Sequence, residues 1–193
     1  MRFVLKACLL AAALALAACG GKPTPVFLAP TPQARTGDIG GGQTVLVTVT
    51  DLRASDAVGT RTSVTGTQED IRSLQKVEDI VRIQIERALT ARNFVPVKAV
   101  QRGTRRLDVT LDRFSYDTTS SVVKSTVTVN TGMTVAAMVD GRTFTHSYAA
   151  KSTETVALNP SDATRERAVN AALTELLDKF VQDDALFRTL AGQ

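Results

Sequence analysis

The stretch from Val122 to Val156 constrains the fold of this chain more tightly than any other. Apolar side chains occupy the odd positions Val123, Val127, Val129, Met133, Val135, Ala137 and Val139. Successive side chains on a strand point to opposite faces, so these residues line one face. Asp140-Gly141 follows, a dipeptide suited to the two-residue turn that joins antiparallel strands. Beyond the turn the less polar positions are even: Phe144, His146, Tyr148 and Ala150. A two-residue turn pairs Val139 with Arg142, and therefore Ala137 with Phe144, Val135 with His146 and Met133 with Tyr148. Turn length and parity switch agree without adjustment. The result is a hairpin with one face to be covered.

Two amphipathic segments are available to cover it. Ile71, Leu74, Val77, Val81, Ile85, Ala88 and Leu89 recur at spacings of three and four, which predicts a helix from about Glu69 to Arg92. Thr67 with Asp70 forms a capping box at its start, and Asn93 is placed to close it in the left-handed conformation. Asn159-Pro160-Ser161-Asp162 opens a last helix with Asn as cap and Pro in the first turn. Its buried stripe is Val169, Leu173, Leu176, Leu177 and Phe180. Asp183-Asp184 then begins a short terminal helix carrying Leu186, Phe187 and Leu190.

Two further strands complete the reading. Thr44–Thr50 alternates strictly, and Asp51–Gly66 reads as a loop. In Arg106–Tyr116 the apolar face changes parity between Leu111 and Phe114, so a bulge is expected near Asp112-Arg113. The fold class is α+β: a mostly antiparallel four-stranded sheet with two main helices packed on one face, in the order β-α-β-β-β-α. Residues 44–193 form a single domain.

The first residues are a leader and not core. Met1–Lys6 carries Arg2 and Lys6 and no acid, and Ala7–Ala18 is apolar throughout. Twelve residues are too few to span a membrane, which takes about 20. The run ends Leu16-Ala17-Ala18-Cys19-Gly20: a branched apolar residue, two small residues, then Cys. That is the pattern of a lipobox, in which the cysteine thiolate is diacylglycerylated and becomes the first mature residue. Residues 1–18 are read as a signal peptide and Cys19 as the lipidated residue. Two readings compete: ordinary cleavage after Ala15-x-Ala17, releasing a soluble protein, or an unmodified thiol at Cys19. Gly20, where Asp would retain a lipoprotein in the inner membrane, argues for an outer-membrane anchor with the domain in the periplasm. Cys8 leaves with the leader, so the mature chain can form no internal disulfide.

Residues 19–43 carry the acylated Cys and then a Pro- and Gly-rich stretch that reads as a tether. Extended, it would reach on the order of 80 Å. Val26-Phe27-Leu28 is an apolar island within it that could dock on the domain. Gly40-Gly41-Gly42 is no phosphate loop, since no Lys-Ser/Thr follows and a strand comes next. The whole chain has a formal net charge of +4. Without Arg2 and Lys6 the mature chain carries 21 basic against 19 acidic residues, near neutrality. No nucleic-acid partner is expected, because Arg102, Arg105 and Arg106 are the one basic cluster and read as a solvated loop.

Candidate chemistry is sparse. His146 is the single histidine, and a general base would need a nucleophile and an orienting acid beside it. A hydrogen-bonded, partly buried His is the simpler reading. No catalytic residue, metal site or cofactor is expected. Asp108 and Asp112 share a strand face opposite Leu107 and Leu111. The set Asp51, Arg53, Gly59 and Arg61 is the candidate binding loop, at the carboxyl end of the first strand, where α/β sheets often place ligands. There Asp51 could brace one arginine while the other meets an anion. A salt bridge pinning the loop is the alternative. Thr126, Thr128, Asn130, Thr134, Thr145, Ser147 and Thr153 make a hydroxyl-rich face that reads as the solvent side of the sheet.

The order of these features resembles the YajG-type lipoproteins of proteobacteria. The lipobox, the Pro-rich segment, the strand, Asp51-Leu52-Arg53 with Val58-Gly59-Thr60-Arg61, and the helix ending Leu89-Thr90-Ala91-Arg92-Asn93-Phe94 carry the likeness. It extends to the Asp-Gly hairpin and the helix after Asn159-Pro160. Relatives usually have Gly at the Asn93 position. The resemblance implies an outer-membrane lipoprotein with the fold above and assigns no catalytic residue. Together these readings point to a non-enzymatic envelope adapter binding a protein partner. The alternative is a small-molecule or glycan-binding accessory protein in envelope transport or cell-wall turnover. An open sheet edge or apolar patch would favour the first, a cavity the second.

Overall fold

A computed structural model describes residues 24–62, 68–157 and 160–193. The leader, Cys19, Thr67 and Asn159 lie outside the described residues. Eight strands and three helices follow in the order β1 (Thr24–Val26), β2 (Thr44–Asp51), β3 (Ala57–Thr62), β4 (Gln68–Ser73), α1 (Val77–Ala91), β5 (Val95–Val97), β6 (Arg105–Ser120), β7 (Lys124–Val139), β8 (Arg142–Ala157), α2 (Asp162–Val181) and α3 (Asp184–Ala191). Among the described residues no helix is long and apolar enough to cross a membrane.

The hairpin is as its alternation requires. Val139 faces Arg142, Ala137 faces Phe144, Val135 faces His146 and Met133 faces Tyr148. Asp140 and Gly141 both take positive φ, 49° and 78°, the backbone a two-residue hairpin turn demands. The expected bulge is present, the register with β7 shifting between Leu111 and Arg113. Gly132 is its counterpart across the pair. A Cβ there would meet Asp112 Oδ1 at 2.6 Å, so the bulged carboxylate occupies the space a side chain would fill.

The sheet differs from the four-stranded, mostly antiparallel arrangement expected. It has five strands in the order β5-β2-β6-β7-β8, and β2 pairs parallel with both β5 and β6. Only the β6-β7-β8 meander is antiparallel. The parallel pairing follows from α1, which carries the chain back to the starting end of β2 before β5 and β6 begin. A second sheet of three strands, β1-β4-β3, lies outside the expected order β-α-β-β-β-α.

That small sheet corrects two expectations. The helix expected from Glu69 begins at Val77; residues 68–73 form a strand pairing with β3 on one side and β1 on the other. Ile71 is fully buried there, while Leu74, assigned to the helical stripe, is exposed. Helical spacing was a coincidence that two flanking strands override by supplying backbone partners. Likewise the loop Asp51–Gly66 contains β3, whose Val58 is buried. Asn93 closes α1 at φ 63° as expected. The cap of α2 is Ser161, whose hydroxyl accepts from the Thr164 N–H, not Asn159.

Helices α1 and α2 cover one face of the five-stranded sheet. Val81, Ile85 and Leu89 of α1 and Val169, Leu173, Leu176, Leu177 and Phe180 of α2 meet Leu107, Val109, Val129, Val135 and Ala137 from the strands, all buried. The other face carries Thr48, Asp108, Thr134, Thr145 and Ser147, half-buried or exposed.

The segment expected to be a free tether is bound from Thr24 onward. After β1 it runs along α2 as a strap. The Phe27 N–H donates to Glu166, Ala29 to Asn170 Oδ1 at 2.7 Å, Thr31 to Thr174 and Gln33 to Asp178. Asn170 also donates back to the Phe27 carbonyl at 2.9 Å. Val26 and Leu28 are buried in the core, so the apolar island docks while Phe27 between them stays half-exposed. The glycines close the strap over the end of α1: Gly37, Gly40 and Gly42 N–H groups donate to the Ala91, Arg92 and Asn93 carbonyls. At Gly40 a Cβ would meet the Asn93 carbonyl at 2.6 Å, so no other residue fits.

Candidate functional site

The loop singled out from the sequence is built from ion pairs within the domain. Asp51, at the end of β2, holds Arg53 through two parallel contacts, Nε to Oδ1 at 2.9 Å and Nη2 to Oδ2 at 2.6 Å. The third nitrogen of Arg53 donates to the Ala57 carbonyl, and its guanidinium lies 5.6 Å from the Phe114 ring centre. With its side chain 6% exposed, Arg53 ties the end of β2 to the start of β3. Burial pushes the Asp51 carboxyl up, but the hydrogen bonds and charge of Arg53 outweigh it and hold the group below the usual carboxylate range. Arg61 is elsewhere: its Nε donates to Glu69 at 2.7 Å, across the β3–β4 pair. Asp51-Arg53 and Arg61 are therefore not brought together around a common anion site.

Gly59 has a separate role. Its Cα lies against β6, and a Cβ would fall 2.5 Å from the Tyr116 carbonyl oxygen. The small sheet packs against the large one at this point, and glycine permits the approach.

Around the single histidine, sequence reasoning missed the acid. His146 Nδ1 lies 3.0 Å from Asp183 Oδ2, and the Tyr148 hydroxyl donates to the same oxygen at 2.7 Å. Asp183 Oδ1 accepts the Leu186 N–H, capping α3. Burial raises the Asp183 carboxyl, and the Leu186 N–H, Tyr148 and His146 together bring it below its ordinary range. Burial, then the adjoining carboxylate, drives the Tyr148 hydroxyl far above a normal phenol. The cap at Asp183 was visible in the sequence; its long-range partners, 35 and 37 residues away, were not. The cluster resembles an acid–base pair, but neighbouring Ser147 is on the opposite face of β8, and among the described residues no hydroxyl or thiol nucleophile is hydrogen-bonded to the imidazole. Its geometry is that of a clamp between β8 and α3.

Asp108 pairs with Arg106 and Asp112 accepts from Thr134, both on the open face of the sheet. Among the described residues no group of three His, Cys, Asp or Glu is placed to hold a metal ion. A cleft of about 220 Å³ opens between the strap and α1, lined by Pro30, Pro32, Gln84, Arg87, Ala88 and Val181. It is smaller than the several hundred cubic ångströms typical of small-molecule sites.

The five-stranded sheet also presents a long edge. β8 is 16 residues long and ends the five-stranded sheet, with no strand on its outer side among the described residues. Lys179 of α2 donates to the Ala149 carbonyl midway along it.

Comparison with known proteins agrees with this architecture. The chain is similar to a Xanthomonas campestris protein of the DUF330 family model, at 16% identity over 88% of this chain and 99% of that one, with a TM-score of 0.58. It is also similar, more remotely, to lipoprotein GNA1162 from Neisseria meningitidis, at 13% identity over 69% and 96% of the two chains, with a TM-score of 0.32. The first shows a shared fold. No curated protein matches. The Lipoprotein_16 model, described as uncharacterized lipoprotein, matches residues 30–190, nearly all of the folded domain, and the chain belongs to that lipoprotein family.

Proposed function

We propose that this protein is a non-enzymatic envelope adapter of the YajG type, anchored in the outer membrane by lipid on Cys19 and holding a protein partner in the periplasm. The leader, the lipobox and membership of a lipoprotein family support the anchor. Gly20 supports the outer membrane. The β8 edge, unpaired among the described residues, carries the adapter reading. A strand of 16 residues offers a row of main-chain donors and acceptors that natural proteins normally cover or blunt, and an added strand of a partner satisfies them. The alternative, a small-molecule or glycan accessory protein, has less support, because the chain has no Trp for a sugar platform.

In-cell photo-crosslinking tests the reading. A photoreactive residue replacing Thr145 or Thr153 on β8 should capture one discrete envelope protein, whereas the same residue at Arg87 beside the strap should not. Equal or absent capture at the three positions would remove the case for the edge. The anchor is tested separately by Cys19→Ala, which should abolish fatty-acid labelling and release the folded domain into the soluble fraction.

A further inference from the structure

Val122 and Val123 form the tip of the long β6–β7 hairpin and are 89% and 75% exposed. Alternation assigns Val123 to the buried face, yet here the hairpin has run past its covering layer. From Asp117 to Lys124 every residue is exposed. The apolar pair is thus raised on a polar stalk, clear of the domain's own core.

The described start of the chain lies at the same end of the molecule. Lys124 pairs with Ala157 at the end of β8, from which the chain passes to the Ser161 cap of α2. One turn further, Glu166 accepts the Phe27 N–H. From there the strap runs along α2 toward Asp178, away from the tip. Thr24 is aligned with Ile71, Ile71 with Gly59, and Gly59 abuts Tyr116 of β6. Four residues separate Tyr116 from Ser120, so the β6 end projects about 13 Å beyond that level at ~3.3 Å per residue. Cys19 is five residues before Thr24, a span of at most ~18 Å. The leash and the stalk are therefore of similar length, not the long tether that the Pro- and Gly-rich composition implies.

We infer that the Val122-Val123 tip is a second membrane contact, inserting into the lipid surface beside the acyl anchor. It rests on the reading that Cys19 is lipidated. A short leash holds this end of the domain at the bilayer, and an apolar tip flanked by Ser120, Ser121 and Lys124 suits the boundary between headgroups and acyl chains. Tip and anchor together fix which way the β8 edge faces, as a single flexible attachment would not.

The mature chain has no cysteine other than Cys19, which makes the test direct. The lipidated chain carrying Val123→Cys, labelled with a polarity-sensitive fluorophore, is reconstituted in phosphatidylcholine vesicles containing a lipid-phase quencher. Val122→Cys serves if the first variant folds poorly. Val100→Cys, exposed on the connection before β6 at the opposite end, is the control. The tip label should shift to the blue and be quenched, and the control should do neither. Flotation with vesicles without a blue shift at the tip overturns the inference and leaves the anchor standing. Failure to float removes the anchor and the tip contact together. A shift seen in whole envelopes but not in vesicles assigns the tip to a protein partner and likewise overturns it.

Discussion

Asn170 of α2 grips the main chain on both sides of Leu28, accepting the Ala29 N–H at 2.7 Å and donating to the Phe27 carbonyl at 2.9 Å. One side chain thus fixes the main chain of a segment that, by composition, resembles a flexible linker. Asn170→Ala should cost about 1–2 kcal/mol of stability, since it removes two hydrogen bonds at the half-exposed strap. It should also speed tryptic cleavage at Arg35. Leu28→Ala, at a buried position, should cost about 2–3 kcal/mol. Urea unfolding of each variant checks the numbers; a free tether would show no change in either.

Gly59→Ala tests the contact between the two sheets. The new methyl would collide with the main chain of Tyr116, which cannot yield as a side chain could. A loss of about 2 kcal/mol or more is expected. Gly103→Ala provides the contrast: φ there is +80° but nothing lies within 4 Å of the added carbon, so the smaller cost of backbone strain alone should appear.

Arg53 should prove structural. Arg53→Ala leaves Asp51 without its partner and removes the stacking on Phe114, and about 2 kcal/mol should be lost, Asp51 retaining some contact with water. Arg53→Lys should not restore it, because an ammonium cannot reproduce the paired contacts. Thermal stability of the wild type should be insensitive to added phosphate or sulfate beyond the general salt effect. A specific rise in midpoint abolished by Arg53→Ala would instead support an anion site in the loop.

The Asp183 clamp should make stability depend on pH on the acid side. Its carboxyl is held below the ordinary value when folded. The stabilisation is therefore complete above the unfolded carboxylate pKa of about 3.9 and is lost as pH falls through the lower folded value. Asp183→Asn, which retains capping ability but not the charge, should be less stable than wild type at neutral pH. That difference should shrink as pH falls below about 4. Asp183→Ala should cost about 1 kcal/mol more than Asp183→Asn through loss of the α3 cap. Chemical denaturation of the three proteins between neutral pH and pH 3 measures both effects.

Features governed by neighbours in the chain were legible without coordinates. The Asp140-Gly141 turn, the register it sets across β7 and β8, the bulge after Leu111, Asn93 closing α1 and Asp183 opening α3 all follow from local backbone preference and side-chain parity. Parity fixes a hairpin because a slip of one residue would turn every valine of β7 to water. By contrast, Gln68–Ser73 is a strand because β1 and β3 lie on either side of it, and Ile71 and Leu74 fit a helical stripe equally well. Residues 24–43 are a strap because α2 supplies acceptors spaced along one face, from Glu166 to Asp178. The parallel pairing of β2 with β6, the union of His146 and Tyr148 on Asp183, and the pairing of β1 with β4 join residues far apart in sequence. Such contacts are selected by the energy of the assembled whole. Local composition leaves them open, and tertiary packing decides them.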